Sequence, residues 1–342
     1  MISLFESEHS QILYPLEEEK IFKNIRRPKH RNRIMSIVQQ RSMHDQQQVS
    51  DDGGGVHVQQ VIPDVVWTVT PLLSPPECQQ LISQATAAGI QVHDLAAGDP
   101  RHRNCRSHFF RDETLSQRIW QRLQPHVPAT VNLDRQHPPP AGFQAESIRD
   151  LCGHWKAGGV NPQFTLLYYK PGGHFGPHRD GYKILSEHRR SLLTVCIYLT
   201  ARPRHMGGAT QFLQDDLDLP APDKTTGRIE APPGTVLASV SGDVEGQSVI
   251  FWHDVLHQGQ ALTVVTPKAN KEEEEDDEDE TTLAAPPPKW VLLTQVLYDR
   301  DPESALQWTE DERLARAFLA QAEVAEREGR HTTVQQGVPT RP

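Results

Sequence analysis

The chain has 342 residues, 36% of them hydrophobic, with a mean hydropathy of −0.59 and a formal net charge of −10. That is chain enough for one large domain or two small ones, but so low an apolar content implies segments that join no core. Nine negative charges form the single run Glu272–Glu280, and without them the balance is −1, so net charge makes no case for nucleic-acid binding.

The four cysteines, Cys78, Cys105, Cys152 and Cys196, form no CxxC pair, which argues against a disulfide framework or a structural zinc and for thiols in a reducing compartment. No apolar run reaches the length of a membrane span, and the first residues lack the basic and apolar regions of a secretory signal. The expectation is an intracellular protein, cytoplasmic or nuclear, without membrane attachment.

Residues 1–60 read as a disordered tail. They hold a basic cluster (Lys23 to Arg33), a glutamine patch (Gln46 to Gln48) and a glycine run, with no sustained period. The basic cluster suits a solvated linker or a nuclear-localisation or RNA-contacting patch. Structure is expected from about Val61, in a support region over 61–155. VVWTVTPLL is strand-like. Ser74, Pro75 and Glu77 mark a helix start, with Cys78, Leu81, Ile82, Ala85 and Ala88 on one face and Gly89 as terminator. A second helix is expected over Leu115 to Leu123.

From 156 to 300 the pattern turns to short strands between glycine and proline turns: 164–169, 191–199, 209–213, 248–252 and 289–298. Helices first and strands later predict a mainly β fold with flanking helices, a sandwich or jelly roll. The acidic run, followed by Ala284 to Pro288, makes an insertion over 266–288, since like charges in sequence repel and do not form a strand. A C-terminal helix is expected from Asp311 to Glu328 within a final 301–342 segment, its apolar face on the core or on a second copy.

The chemistry centres on LLYYKPGGHFGPHRDG. His178 and Asp180, two residues apart on an extended strand, project to one side and can share a metal. His257, seventy-seven residues after Asp180, completes two histidines and one carboxylate, the facial set that leaves positions open for an oxo-acid and O2. His253 competes with His257 as the distal ligand. His174 and His188 are read as non-ligands.

Tyr169, Gly172, Phe175, His178, Asp180, Gly181, Gly207, Gly208, Thr210, Phe212, His257, Gly259 and Lys289 together carry a resemblance. Over about 61–300 the chain resembles the prolyl 4-hydroxylase alpha-subunit catalytic domain family within the 2-oxoglutarate/Fe(II)-dependent dioxygenases. The resemblance implies a double-stranded β-helix (jelly-roll) core. It implies Fe(II), 2-oxoglutarate and O2 as reactants, with ascorbate as an accessory, and His257 rather than His253 as ligand. It further implies a buried cation for the far carboxylate of 2-oxoglutarate. Counting from His257 points to Lys268, but the segment KWVLLTQVLY resembles the family strand that carries this cation, and Lys289 is the preferred candidate. Tyr169 then hydrogen-bonds that carboxylate or lines the pocket.

The implied reaction is hydroxylation of an unactivated C–H, with peptidyl proline as the first substrate class (procollagen-proline 4-dioxygenase-like), succinate and CO2 as products, and a protein or peptide partner. A small-molecule hydroxylase or nucleic-acid demethylase is the alternative; for the latter, the absence of arginine from 289–298 weighs against a nucleic-acid substrate. A non-catalytic binding module on the same fold is the reading from another class. The sequence leaves oligomeric state open.

Overall fold

The computed structural model describes residues 55–90, 99–140, 148–215, 217, 220–263, 287–315 and 317–318. The N-terminal basic cluster, Lys268, the acidic run and most of the C-terminal segment lie outside the described residues.

Fifteen strands are described: β1 (His57–Ile62), β2 (Val66–Thr70), β3 (Arg103–Asn104), β4 (Arg106–Arg111), β5 (Thr130–Leu133), β6 (Gly153–Val160), β7 (Gln163–Tyr169), β8 (His174–His178), β9 (Ile184–Ser186), β10 (Arg189–Tyr198), β11 (Thr210–Leu213), β12 (Val236–Val240), β13 (Ser248–Trp252), β14 (His257–Gly259) and β15 (Lys289–Arg300). Among the described residues the helices include α1 (Pro75–Ala87), α2 (Glu113–Leu123) and the short α3 (Ile148–Leu151). β1 begins ahead of the boundary expected near Val61.

The larger sheet runs β1-β2-β13-β10-β15-β6-β5, with β7 and then β4 branching from β15, and β9 from β10. The smaller runs β12-β11-β14-β8-β3. Every pairing is antiparallel. The architecture is a jelly roll, as the sequence led us to expect. The near-continuous apolar run of β10 is explained by its place between β13 and β15, with nearly every residue buried. Burial of each such aliphatic side chain contributes about 1.5–3 kcal/mol. Because strand side chains alternate, Leu193, Val195 and Ile197 face one way while Thr194, Cys196 and Tyr198 face the other. That second set lines the interior described below.

α1 starts as its sequence requires. Glu77 accepts from the Ser74 backbone N–H and hydroxyl at 2.8 Å each, closing the turn. Cys78, Leu81 and Ala85 are its buried residues. Arg118 and Arg122 of α2 bond the same Glu77 carboxylate, tying the two helices together. Burial alone would raise that carboxyl, but Arg122, Ser74 and Arg118 outweigh it and hold it at about 2.

All four cysteines are free and buried. None of the described helices is long and apolar enough to cross a membrane. Residues 310–315 and 317–318 are helical, yet Leu314 and Phe318 are exposed, so the described turns of the expected C-terminal helix do not bury their apolar side chains on this chain's core.

Candidate metal and cosubstrate site

β8 and β14 are antiparallel neighbours, and their register sets His178 directly opposite His257. Asp180 follows two residues beyond His178. One ligand-type atom from each of these three lies within 4.8 Å of the others. His178 Nε2 is 3.7 Å and His257 Nε2 3.9 Å from Asp180 Oδ1.

Each ring is aimed by its own strand. His178 Nδ1 bonds the carbonyl of Gly176 at 2.8 Å, and His257 Nδ1 bonds that of Val255 at 3.0 Å. A carbonyl can only accept, so each Nδ1 carries a hydrogen and Nε2 is the nitrogen turned toward Asp180. Phe175 stacks on His178 with centroids 3.6 Å apart, and Phe251 packs edge-on to His257 at 4.7 Å. Burial, with the neighbouring His257, pushes His178 well below the usual imidazole range, leaving it neutral and able to ligate. Burial would raise Asp180, but His257, His178, His253 and the Thr194 hydroxyl outweigh it and keep it a carboxylate.

His253 is buried from β13's end and meets none of the three as a ligand. Its Nδ1 contacts Thr194 Oγ1 at 2.9 Å and its Nε2 contacts Ser191 Oγ at 2.7 Å. His174 is buried too, with Nε2 on the Arg101 carbonyl at 2.9 Å. His188 Nδ1 accepts from Arg300 at the far end of β15. Arg179, between the two candidate ligands, turns away and clamps Asp215 and the Asp254 carbonyl.

Lys289 opens β15 and is the register partner of Tyr169 at the end of β7. Only 5% of Lys289 is exposed. Its ammonium donates to the Gly208 carbonyl and lies 5.3 Å from the Tyr169 ring and 5.2 Å from the Tyr198 ring. Among the described residues no carboxylate pairs with it. Burial pushes the ammonium down to about 8. A cation kept inside a fold without a counter-ion is costly, and an anionic ligand would relieve that cost. Gly208 permits the arrangement. Its φ is +81°, and a Cβ there would stand 2.5 Å from Leu262 Cδ2 and 3.4 Å from Lys289 Cδ.

Thr194, Cys196 and Tyr198 connect the two centres along β10. Thr194 donates to Asp180 Oδ2 at 2.6 Å, Cys196 feels the charges of both Lys289 and Asp180, and Tyr198 lies under the ammonium. Tyr169 is buried, and burial raises its hydroxyl well above the usual phenol range. Thr194 escaped the sequence reading. Its signal was a hydroxyl inside the apolar run RSLLTVCIYL, a position where a polar group needs a partner.

The donor set fits a divalent iron. Two imidazoles and one carboxylate form the facial arrangement associated with non-haem Fe(II) and open coordination positions. The unpaired Lys289 fits the far carboxylate of a dicarboxylic oxo-acid.

Residues 164–270 match the family model described as the 2OG-Fe(II) oxygenase superfamily. A search of curated proteins finds no match. Among solved structures, similarity extends to the viral collagen prolyl hydroxylase of Paramecium Bursaria Chlorella virus-1 in its 2OG complex, at 15% identity and TM-score 0.36, covering 70% of this chain and 98% of that one. A Pseudomonas putida prolyl-4-hydroxylase is 11% identical, with TM-score 0.36 and coverage of 78% and 99%. HygX from Streptomyces hygroscopicus, with nickel and 2-oxoglutarate bound, is 11% identical, with TM-score 0.37 and coverage of 72% and 89%. Likenesses this distant leave the substrate to be argued from the residues. Over the segment that carries His178, Asp180 and His257, this chain resembles the 2OG-Fe(II) oxygenase superfamily.

Proposed function

We propose that the protein is an Fe(II)- and 2-oxoglutarate-dependent dioxygenase that hydroxylates an unactivated C–H bond, with peptidyl proline as the first substrate class to test. The observation that supports this most is the pairing of the His178, Asp180 and His257 cluster with a buried Lys289 that lacks a counter-ion among the described residues. In this reading His178 and His257 present Nε2 to the metal and Asp180 presents Oδ1. Lys289 meets the distal carboxylate of 2-oxoglutarate, and Tyr169 and Tyr198 shield that pair from water. When bound, the iron and cosubstrate supply the O2-dependent oxidation that releases succinate and CO2. The protein's part is to aim the donors, neutralise the carboxylate and exclude solvent. His178 and Asp180 remain 18% and 24% exposed, so the centre is reachable from outside.

Proline rests on the Tyr169-to-Asp180 motif resemblance, and a fold of this kind hosts many substrates. The test is succinate release from labelled 2-oxoglutarate with Fe(II) and ascorbate, with and without proline-rich peptides and small cyclic substrates. Turnover that His178→Ala and Asp180→Ala abolish supports the dioxygenase, and stimulation by peptide supports proline. Stimulation only by small molecules would move the substrate to that class. Absence of turnover together with absence of Fe(II) and 2-oxoglutarate binding would leave a non-catalytic module.

A further inference from the structure

We infer that His253 is a positioning residue, and that it holds Asp180 in a single-oxygen ligand geometry through a one-way hydrogen-bond chain across Thr194. The inference rests on the reading of His178, Asp180 and His257 as a metal site.

The direction of the chain follows from counting hydrogens. Asp180, as a carboxylate, only accepts, so the one hydrogen on Thr194 Oγ1 is committed to Oδ2 at 2.6 Å. Thr194 can then only accept from His253, whose Nδ1 lies 2.9 Å away. His253 is buried and neutral, so a hydrogen on Nδ1 leaves Nε2 as an acceptor. Ser191 Oγ, 2.7 Å from Nε2, must supply the hydrogen. Ser191 in turn accepts from the Lys183 backbone N–H at 2.8 Å. Each group therefore gives one hydrogen toward Asp180, from a backbone amide to the carboxylate. Polarised in one direction, such chains reinforce each bond.

The consequence lies at Asp180. With Oδ2 held by Thr194, Oδ1 alone is directed at the two Nε2 atoms. A carboxylate free to rotate could offer both oxygens and occupy a position that an oxo-acid or O2 needs. His253 is thus the residue that keeps Thr194 from turning its hydrogen elsewhere. Tyr182 packs edge-on to the His253 ring at 5.2 Å and limits its rotation.

The test is Co(II) titration of metal-free protein, read by visible absorption, which reports coordination geometry, and by affinity. Outer partners of metal ligands are typically worth about 10- to 100-fold in affinity. Thr194→Val is expected to lose about that much and to change the spectrum, while Thr194→Ser stays within about threefold. His253→Asn, which keeps an N–H near Nδ1, is expected to outperform His253→Gln, which places its amide near Nε2, by about tenfold. Should the His253 variants fail to fold, Ser191→Ala keeps His253 and Thr194 but removes the hydrogen that Nε2 accepts, together with the acceptor of the Lys183 N–H, and a loss of about threefold or more is expected. Wild-type affinity and spectrum in Thr194→Val, or equal affinities for His253→Asn and His253→Gln, or an unchanged Ser191→Ala, would overturn the inference while the metal site stands. A wild-type protein that binds no Co(II) or Fe(II) would instead remove the metal site itself, and the inference with it.

Discussion

His178 and His257 are register partners on adjacent antiparallel strands, with ring centroids 4.3 Å apart and each Nδ1 held by the carbonyl two residues before it. The pair is therefore aimed by its own backbone. Replacing either ring by alanine is expected to lower metal affinity by more than about 100-fold, beyond the loss typical of an outer partner. Isothermal titration with Fe(II) under anaerobic conditions measures it, and Tm in the absence of metal should change little by comparison.

Lys289 separates binding from stability. Lys289→Met removes the proposed partner of the cosubstrate carboxylate, and the KM for 2-oxoglutarate is expected to rise about 100-fold, in line with the ~2–5 kcal/mol cost of truncating one member of a buried charge pair. The same change removes an ammonium whose charge the fold buries, so the Tm of ligand-free protein is expected to hold or rise. Steady-state kinetics and a thermal melt check both halves.

The ammonium also sets a pH dependence. Burial pushes Lys289 from its ordinary 10.5 to about 8, with Arg202 lowering it and Cys196 and Cys105 raising it; Tyr169 and Tyr198 flank it. The ligand-free cation is thus lost above about pH 8, and affinity for a dicarboxylate is expected to fall as pH rises through that value. The folded pKa lies below the unfolded one, so the unfolded chain binds more protons between about 8 and 10.5, and ligand-free stability should climb there. Added 2-oxoglutarate, which favours the charged form, should flatten that climb. Calorimetric affinities and denaturation midpoints across the range report it.

Gly208 carries both a backbone demand and a contact. Gly208→Ala meets Leu262 at 2.5 Å in a left-handed conformation, and a loss of about 1–3 kcal/mol is expected. Because its carbonyl receives the Lys289 ammonium, the KM for 2-oxoglutarate should rise as well. Gly234→Ala, where a Cβ meets nothing within 4 Å, is the matched control and should leave both nearly unchanged. Urea denaturation with parallel kinetics gives the comparison.

Local chemistry decided much before folding. The Ser74 to Glu77 start of α1, the apolar run of β10 and the clustered motif around His178 and Asp180 are properties of neighbouring residues, and they are where expectation and structure coincide. Expectation missed β4, with its charged RSHFFR, and β6, with Gly158 and Gly159, because each forms only against a partner strand, β4 on β7 and β6 on β15. The same reason governs the site. Sequence named His178, Asp180 and His257 as candidates, but their meeting needed the β8–β14 register. Residue spacing alone left His253 competing with His257, and the family resemblance chose His257; only the position of β10 shows that both nitrogens of His253 are engaged, by Thr194 and Ser191. The covalent chain carries donor types and local spacing. Which lone pair faces which hydrogen is set by strands far apart in sequence, and only their packing decides it.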